Sequence, residues 1–152
     1  MSIVALLESQ ALDPQLELAE LTEAARGDGA IVTFVGLARP ESKDGNAVDA
    51  LVLDYHPTLT RQSLEEIAVA CGERFDVSHV RVVHRCGTVP AGEPIVFAGA
   101  ASIHRRAAFD AADYLMDRLK TEAVLWKREE GPAGSSWIEP TDADYRERER
   151  WE

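Results

Sequence analysis

Apolar positions along this chain switch between the period of a strand and the period of a helix. Ile3 to Leu7 is a short apolar run that predicts a strand. Asp13-Pro14 then reads as a helix start, with Asp as N-cap and Pro at the first helical position. Leu18, Leu21 and Ala25 share one face of that helix, and Gly27 to Gly29 end it. Ala30 to Leu37 is almost wholly apolar and rich in β-branched residues, which predicts a central strand buried on both faces. Arg39 to Ala47 is a polar loop with Pro, Gly and Asn. Val48 to Tyr55 alternates, with Leu51, Leu53 and Tyr55 on one face, and is expected to pair with the preceding strand through that loop.

A second helix is predicted over Pro57 to Phe75. Leu64, Ile67, Ala68, Cys71 and Phe75 follow helical spacing there, and Glu65, Glu66, Glu73 and Arg74 take the wet side. Val80 to Cys86 reads as a strand, Gly87 to Glu93 as a turn and Pro94 to Ile103 as another strand. The small residues Ala98, Gly99, Ala100 and Ala101 in that last strand permit close packing. A third helix is expected from Arg105 to Trp126, with Ala108, Ala111, Ala112, Leu115, Leu119 and Ala123 as its apolar side. Gly131 to Ser136 breaks the pattern, and Trp137-Ile138-Glu139 suits a short strand. The expectation is one α+β domain over residues 1–140, with a mixed or antiparallel sheet and about three main helices, followed by a charged tail at 141–152.

Composition narrows the function more than the fold. The 152 residues suffice for one domain with a real core, and 45% hydrophobic with 28% charged residues is ordinary for a globular chain. A net charge of −11 argues against a general nucleic-acid binder, because phosphate contacts need a basic surface. Any anion site must be a local gathering of cations, and His104, Arg105, Arg106, Lys120, Lys127 and Arg128 form such a set in the second half. No apolar run approaches the roughly 20 residues of a membrane span, and Met1-Ser2-Ile3-Val4 lacks the features of a secretory leader. The cytoplasm is the expected compartment. Cys71 and Cys86 offer no zinc spacing and read as core thiols, and the four histidines do not fall at metal-ligand spacings, so neither a metal nor a cofactor is expected.

Three places carry candidate chemistry. Ser102-Ile103-His104-Arg105-Arg106 lies where a strand feeds a helix, so free backbone N–H groups, the helix dipole and basic side chains favour an anion there. The same residues also fit a solvated helix start. Lys120 and Lys127, on an unbroken helix, would point to one side about 10 Å apart along the axis. Crowded ammonium groups lower each other's pKa enough for acid–base or nucleophilic work, although two ordinary surface lysines have the same spacing. Arg39 follows the strongest strand at the mouth of the loop, where it either lines a site or begins the loop.

In chain order, several motifs resemble those of the molybdopterin synthase large subunit, the MoaE family. They are Gly29-Ala30-Ile31-Val32-Thr33-Phe34-Val35-Gly36 leading to Arg39, Val83-His84-Arg85-Cys86-Gly87, Gly92-Glu93, and Ser102-Ile103-His104-Arg105 running into Ala108-Phe109. Met116-Asp117-Arg118-Leu119-Lys120, Trp126-Lys127-Arg128-Glu129 and Trp137-Ile138-Glu139 complete the series. The resemblance spans about residues 29 to 140 and implies an α/β hammerhead-type fold. It also implies a homodimer of large subunits within a heterotetramer, one small ubiquitin-like (MoaD-like) sulfur carrier sitting at each distal end.

The implied reaction moves sulfur from a thiocarboxylate on the carrier's C-terminal Gly-Gly tail to cyclic pyranopterin monophosphate, giving the dithiolene of molybdopterin. By the same resemblance Lys120 is the leading catalytic residue and Lys127 a second base or anion contact. Arg39, His104 and Arg105 form a cationic wall for the substrate, and Phe34 and Met116 are apolar neighbours. All of these are expected to gather in one cavity. Pro40-Glu41 stands where many members carry Asn or Asp, and Pro140-Thr141 stands where members often have an Arg. Two other classes remain open: a non-catalytic module of this family that only docks the carrier, and a sensor of a phosphorylated metabolite.

Overall fold

The computed structural model describes residues 1–152. The chain runs β1 (Ser2–Glu8), α1 (Pro14–Ala24), β2 (Ala30–Leu37), β3 (Ala50–Tyr55), α2 (Leu59–Arg74) and β4 (His79–Arg85). It continues β5 (Gly87–Pro90), β6 (Pro94–Ser102), α3 (Arg105–Glu122), β7 (Leu125–Gly131), β8 (Gly134–Ile138) and α4 (Asp142–Glu149). The strands form two sheets, ordered β1-β4-β6-β2 and β5-β3-β7-β8. In the first, β1 is parallel to β4, while β6 is antiparallel to both β4 and β2. The second is antiparallel throughout. The α+β class and mixed sheet follow the sequence expectation, with a second sheet and a fourth helix added.

Alternation along the strands of the first sheet sorts its side chains to two faces. Val80, Val82, Val96, Ala98 and Ala100 meet Leu64, Ile67, Ala68 and Cys71 of α2 and Leu115 and Leu119 of α3. Val83, Phe97 and Ala101 face the other way, onto Leu12, Leu21 and Ala25 around α1. The run of small residues in β6 permits this close approach: a Cβ on Gly99 would stand 2.9 Å from both the Leu21 and Thr33 side chains. A third cluster, Ala38, Leu51, Leu53 and Val89, seats the second sheet. Asp13 caps α1 as expected, its carboxylate accepting from the N–H groups of Gln15 and Leu16 at 3.1 and 3.3 Å.

Four expectations need correction. β2 is not a central strand but an edge of the first sheet, and Phe34 and Leu37 are 42% and 56% exposed. Its apolar content reflects a hydrophobic surface rather than two buried faces. β3 does not pair with β2; it lies between β5 and β7 in the other sheet. The segment after Cys86 forms the short strand β5 before its turn, where Gly92 takes φ +89°. The third helix stops at Glu122, with Ala123 already extended. Its end is set from α2: Thr60 Oγ1 donates to the Val124 carbonyl at 2.6 Å, and Ser63 Oγ accepts from the Val124 N–H at 3.0 Å. Both backbone groups of Val124 are thereby taken out of the helical ladder.

Residues 141–152, expected as a charged tail, are helical over Asp142–Glu149. Thr141 and Asp144 form a reciprocal capping box at its start. The helix is pinned to α3 from its far end. Arg150 bridges Asp113 and Asp117, Trp151 Nε1 donates to Asp117 at 2.7 Å, and the Trp151 ring meets Phe75 and Tyr114 edge-on.

Candidate active site

The end of α3 and the start of β7 converge beside the junction of the two sheets. Residues directly paired across strands share a face, so Gly87, Leu53, Lys127 and Ile138 form one row across β5, β3, β7 and β8. Leu53 is fully buried, which identifies the inner face of that row and points Lys127 inward with it. Lys127 is accordingly half-buried. Burial pulls its pKa from 10.5 to about 8, the nearby Lys120 charge adds to the fall, and Asp144 of α4 opposes it. Lys120 itself stands exposed in the last turn of α3. The two charges therefore act on one another, though not along one helix: Lys127 stands on β7, the strand that follows α3.

His84 belongs to the same neighbourhood. It is 4% exposed on β4, and the Lys127 charge is among the influences that hold its ring neutral, after burial itself. Asp144 and His84 carried no assigned role in the sequence. His84 does lie inside the Val83-His84-Arg85-Cys86-Gly87 motif, which was a usable signal. Asp144 sits in the segment read as a tail, and nothing in its spacing marked it. Arg85, beside His84, is buried and ion-paired to Glu93 at 2.8 Å, which ties β4 to the turn before β6.

The remaining candidates divide between the two ends of α3. β2 ends where β6 begins, and the Ala38 N–H donates to the Glu93 carbonyl at 2.9 Å, so Arg39 emerges at the sheet-junction end with the lysines. Met116 lies one turn before Lys120 on α3, and Phe34 lies on β2 beneath that helix, on the α2/α3 face opposite Ala98. His104 and Arg105 start α3 at the other end. Arg105 is about 22 Å from Lys120 along the helix axis. One chain does not bring His104 and Arg105 into the lysine pocket, contrary to the single-cavity expectation. A surface hollow on α2 lies elsewhere, lined by Glu65, Glu66 and Glu73. Three carboxylates there repel an anion, so it is not the substrate site.

Both thiols are core residues. Burial raises the Cys71 pKa to about 12, and burial also raises that of Cys86. Neither is a ready nucleophile, since the thiolate is the reactive form.

In this two-sheet α+β domain a half-buried lysine with a lowered pKa, under the influence of a second lysine, can act as an acid–base or nucleophilic centre. The sequence profile of the MoaE protein family matches residues 7–122. The molybdopterin synthase catalytic subunit of Caulobacter vibrioides is 41% identical over 150 residues, covering 99% of this chain and 98% of the relative. That of Escherichia coli is 42% identical over 124 residues, 82% of each chain. The solved structure of molybdopterin cofactor biosynthesis protein E from Burkholderia multivorans superposes with a TM-score of 0.79 at 32% identity, covering 99% of this chain and 97% of that one. The chain belongs to the MoaE family.

Proposed function

We propose that the chain is the catalytic subunit of a molybdopterin synthase, a sulfurtransferase of molybdenum cofactor biosynthesis. A small ubiquitin-like carrier presents a thiocarboxylate on its C-terminal Gly-Gly tail, and the sulfur passes to cyclic pyranopterin monophosphate to build the dithiolene. The observation that carries this reading is Lys127, half-buried, faced by Lys120 and poised near neutral pH. Sulfur attack on the pterin side chain displaces oxygen, so protons must move and oxyanions must be stabilised; a lysine titrating near 8 serves both needs. The absence of an activated cysteine fits a subunit that receives its sulfur already mounted on a partner.

Arg39, at the end of the first sheet where β6 begins, and His104 with Arg105 form the cationic wall for the substrate phosphate, and Phe34 and Met116 form its apolar lining. Since α3 holds Arg105 far from Lys120, the wall at each lysine pocket is completed by His104 and Arg105 of a second copy in a homodimer. Two carriers on such a dimer make the heterotetramer. No helix is long and apolar enough to cross a membrane, and the cytoplasm is the compartment this reading implies.

Lys120→Ala tests the reading. With thiocarboxylated carrier and cyclic pyranopterin monophosphate, the variant is expected to form no dithiolene product while binding the carrier as the unaltered chain does. Full activity would overturn the role given to Lys120.

A further inference from the structure

Ser102 closes β6 as a buried serine, 1% exposed, on the strand face that carries Ala98 and Ala100 before it. Alanine would fill the same space, so only the hydroxyl sets this position apart. That hydroxyl has two partners. Its O–H donates to the Asp76 carbonyl at 2.7 Å, and its oxygen accepts from the His104 N–H at 3.1 Å. A carbonyl can only accept and an amide N–H can only donate, so neither bond can reverse. His104 is the N-cap of α3, extended at φ −121° and ψ 131°, and its own side chain caps nothing. The Ser102 hydroxyl therefore ties the turn before β4 to the residue from which α3 starts. The backbone around it is held as well: the Ser102 carbonyl accepts from the Gly29 N–H at 3.1 Å, and the Ala101 carbonyl from the Ser78 N–H at 2.8 Å. Beyond that anchor the chain is open, with Ile103, His104 and Arg105 all exposed.

We propose that Ser102 is a positioning residue for the phosphate anchor: its hydroxyl, bonded to Asp76, fixes the His104 backbone and with it the direction in which His104 and Arg105 leave the sheet. The inference rests on the role proposed above for those two cations. Arg105 follows His104 directly, so a rotation of the His104 peptide is carried to the far end of a long side chain and takes the guanidinium off the phosphate. Removing the hydroxyl leaves the His104 N–H and the Asp76 carbonyl without their partner, and the segment turns to satisfy them elsewhere. Ser102 bonds to neither lysine, and α3 separates it from Lys120 in its own chain. The loss therefore falls on holding the substrate rather than on moving its protons.

The test uses the full chain with thiocarboxylated carrier and compares Ser102→Ala, Ser102→Thr and Ser78→Ala. Ser102→Ala is expected to raise KM for the pterin about tenfold with kcat changed less than about twofold, and to weaken competitive inhibition by inorganic phosphate by a similar factor. Hydrogen exchange at the His104 amide, followed by NMR, is expected to quicken in the same variant. Ser102→Thr keeps the hydroxyl and is expected to return KM to within about twofold of the unaltered chain. Ser78→Ala strips the side-chain bonds to Asp28 and to the Ala101 carbonyl from the same turn without touching His104, and is expected to leave KM unchanged. If Ser102→Ala does not fold, Ser102→Cys, whose thiol is a weaker donor and acceptor, takes its place. If threonine proves too large, the comparison with Ser78→Ala decides. A loss confined to kcat, or a Ser78→Ala that raises KM as much, would overturn the proposal. Arg105→Ala tells the two levels apart: an unchanged KM there removes the anchor itself, whereas a raised KM there beside an unmoved Ser102→Ala sinks this inference alone.

Discussion

Replacing Lys127 by Met separates what the lysine pocket costs the fold from what it gives the reaction. Lys127 titrates at about 8 in the folded chain against 10.5 ordinarily. At about 1.4 kcal/mol for each pH unit of displacement, holding it charged costs the native state about 3 kcal/mol near neutral pH. Burial is the main source of that cost and repulsion from Lys120 the next. Methionine keeps the length and much of the packing of the lysine stem while removing the charge. It also deprives Asp144 of a counter-charge, which takes back part of the gain. Lys127→Met is therefore expected to be more stable than the unaltered chain by about 2 kcal/mol at pH 7, or about 4–8 °C in Tm for a domain of this size.

The sign of the pH dependence is the sharper check. A lysine whose folded pKa is depressed binds fewer protons in the native state, so the chain gains stability as pH rises from about 8 towards 10.5. The cost is fully present below pH 8 and is mostly relieved by pH 10. The advantage of Lys127→Met must shrink over the same window. Urea denaturation of both proteins at pH 7 and pH 9.5 measures this directly. A variant less stable at pH 7, or one with the same advantage at both pH values, would refute the reasoning. Dithiolene formation is expected to be lost in the same variant, the exchange of activity for stability that a strained site produces.

Arg105→Ala is expected to raise KM for the pterin with little change in carrier affinity, measured by steady-state kinetics and calorimetry. Because His104 and Arg105 reach a site only from the opposite copy in the proposed dimer, mixing Lys120→Ala and Arg105→Ala chains rebuilds one intact site in each mixed dimer. At a pterin concentration far below the raised KM, where neither variant alone turns over measurably, such a mixture is expected to recover about a quarter of full activity, and no more than the separate variants if each site is built within one chain. Trp151→Ala removes edge-on contacts to Phe75 and Tyr114 and the bond to Asp117, and is expected to cost about 3 kcal/mol by thermal denaturation. Releasing α4 also withdraws Asp144, so the pH midpoint for acetylation of Lys127, followed by mass spectrometry, should fall further in that variant. Gly29→Ala sets a Cβ 2.5 Å from the Ile103 carbonyl oxygen, shifting the segment that carries His104 and Arg105; KM for the pterin is expected to rise well before the fold is lost.

Local signals carried most of the element map, and they failed where tertiary contacts decide. The Asp13 cap and the bounds of β2 were legible because capping and β-branching act within a few residues. The stop of α3 was not legible, since it depends on Thr60 and Ser63 reaching Val124 from more than sixty residues away. The edge position of β2 was hidden for a related reason: a strand apolar on both faces looks the same whether its second face meets a helix or another molecule. The two lysines were expected on one unbroken helix, whereas the extended backbone at Ala123 ends α3 and places Lys127 on β7. In the sequence His84 reads as part of a motif without a role of its own, and its hydrogen bond to the Arg85 carbonyl depends on the fold.

The division of charge along α3 and the exposed face of β2 belong to one argument. A helix of this length is a rigid spacer, and no side-chain motion closes about 22 Å between Arg105 and Lys120. In the proposed dimer, a phosphate held by Arg105 and a reacting carbon held at Lys120 meet through a second rigid body whose α3 presents the opposite end. The exposed face of β2 is the surface proposed for that body. It is an edge strand with Phe34, Val35 and Leu37 exposed, a surface prone to unwanted association if left bare. Ala38, which joins its end to Arg39, is held by the backbone of Glu93 and Gly92. A second copy seated on β2 would thus be positioned through the strand that carries Phe34 and Arg39 to the site. In the proposed dimer the distance between phosphate anchor and lysines is set by that interface, so a substitution that loosens β2 pairing should lower turnover even where every catalytic side chain is intact.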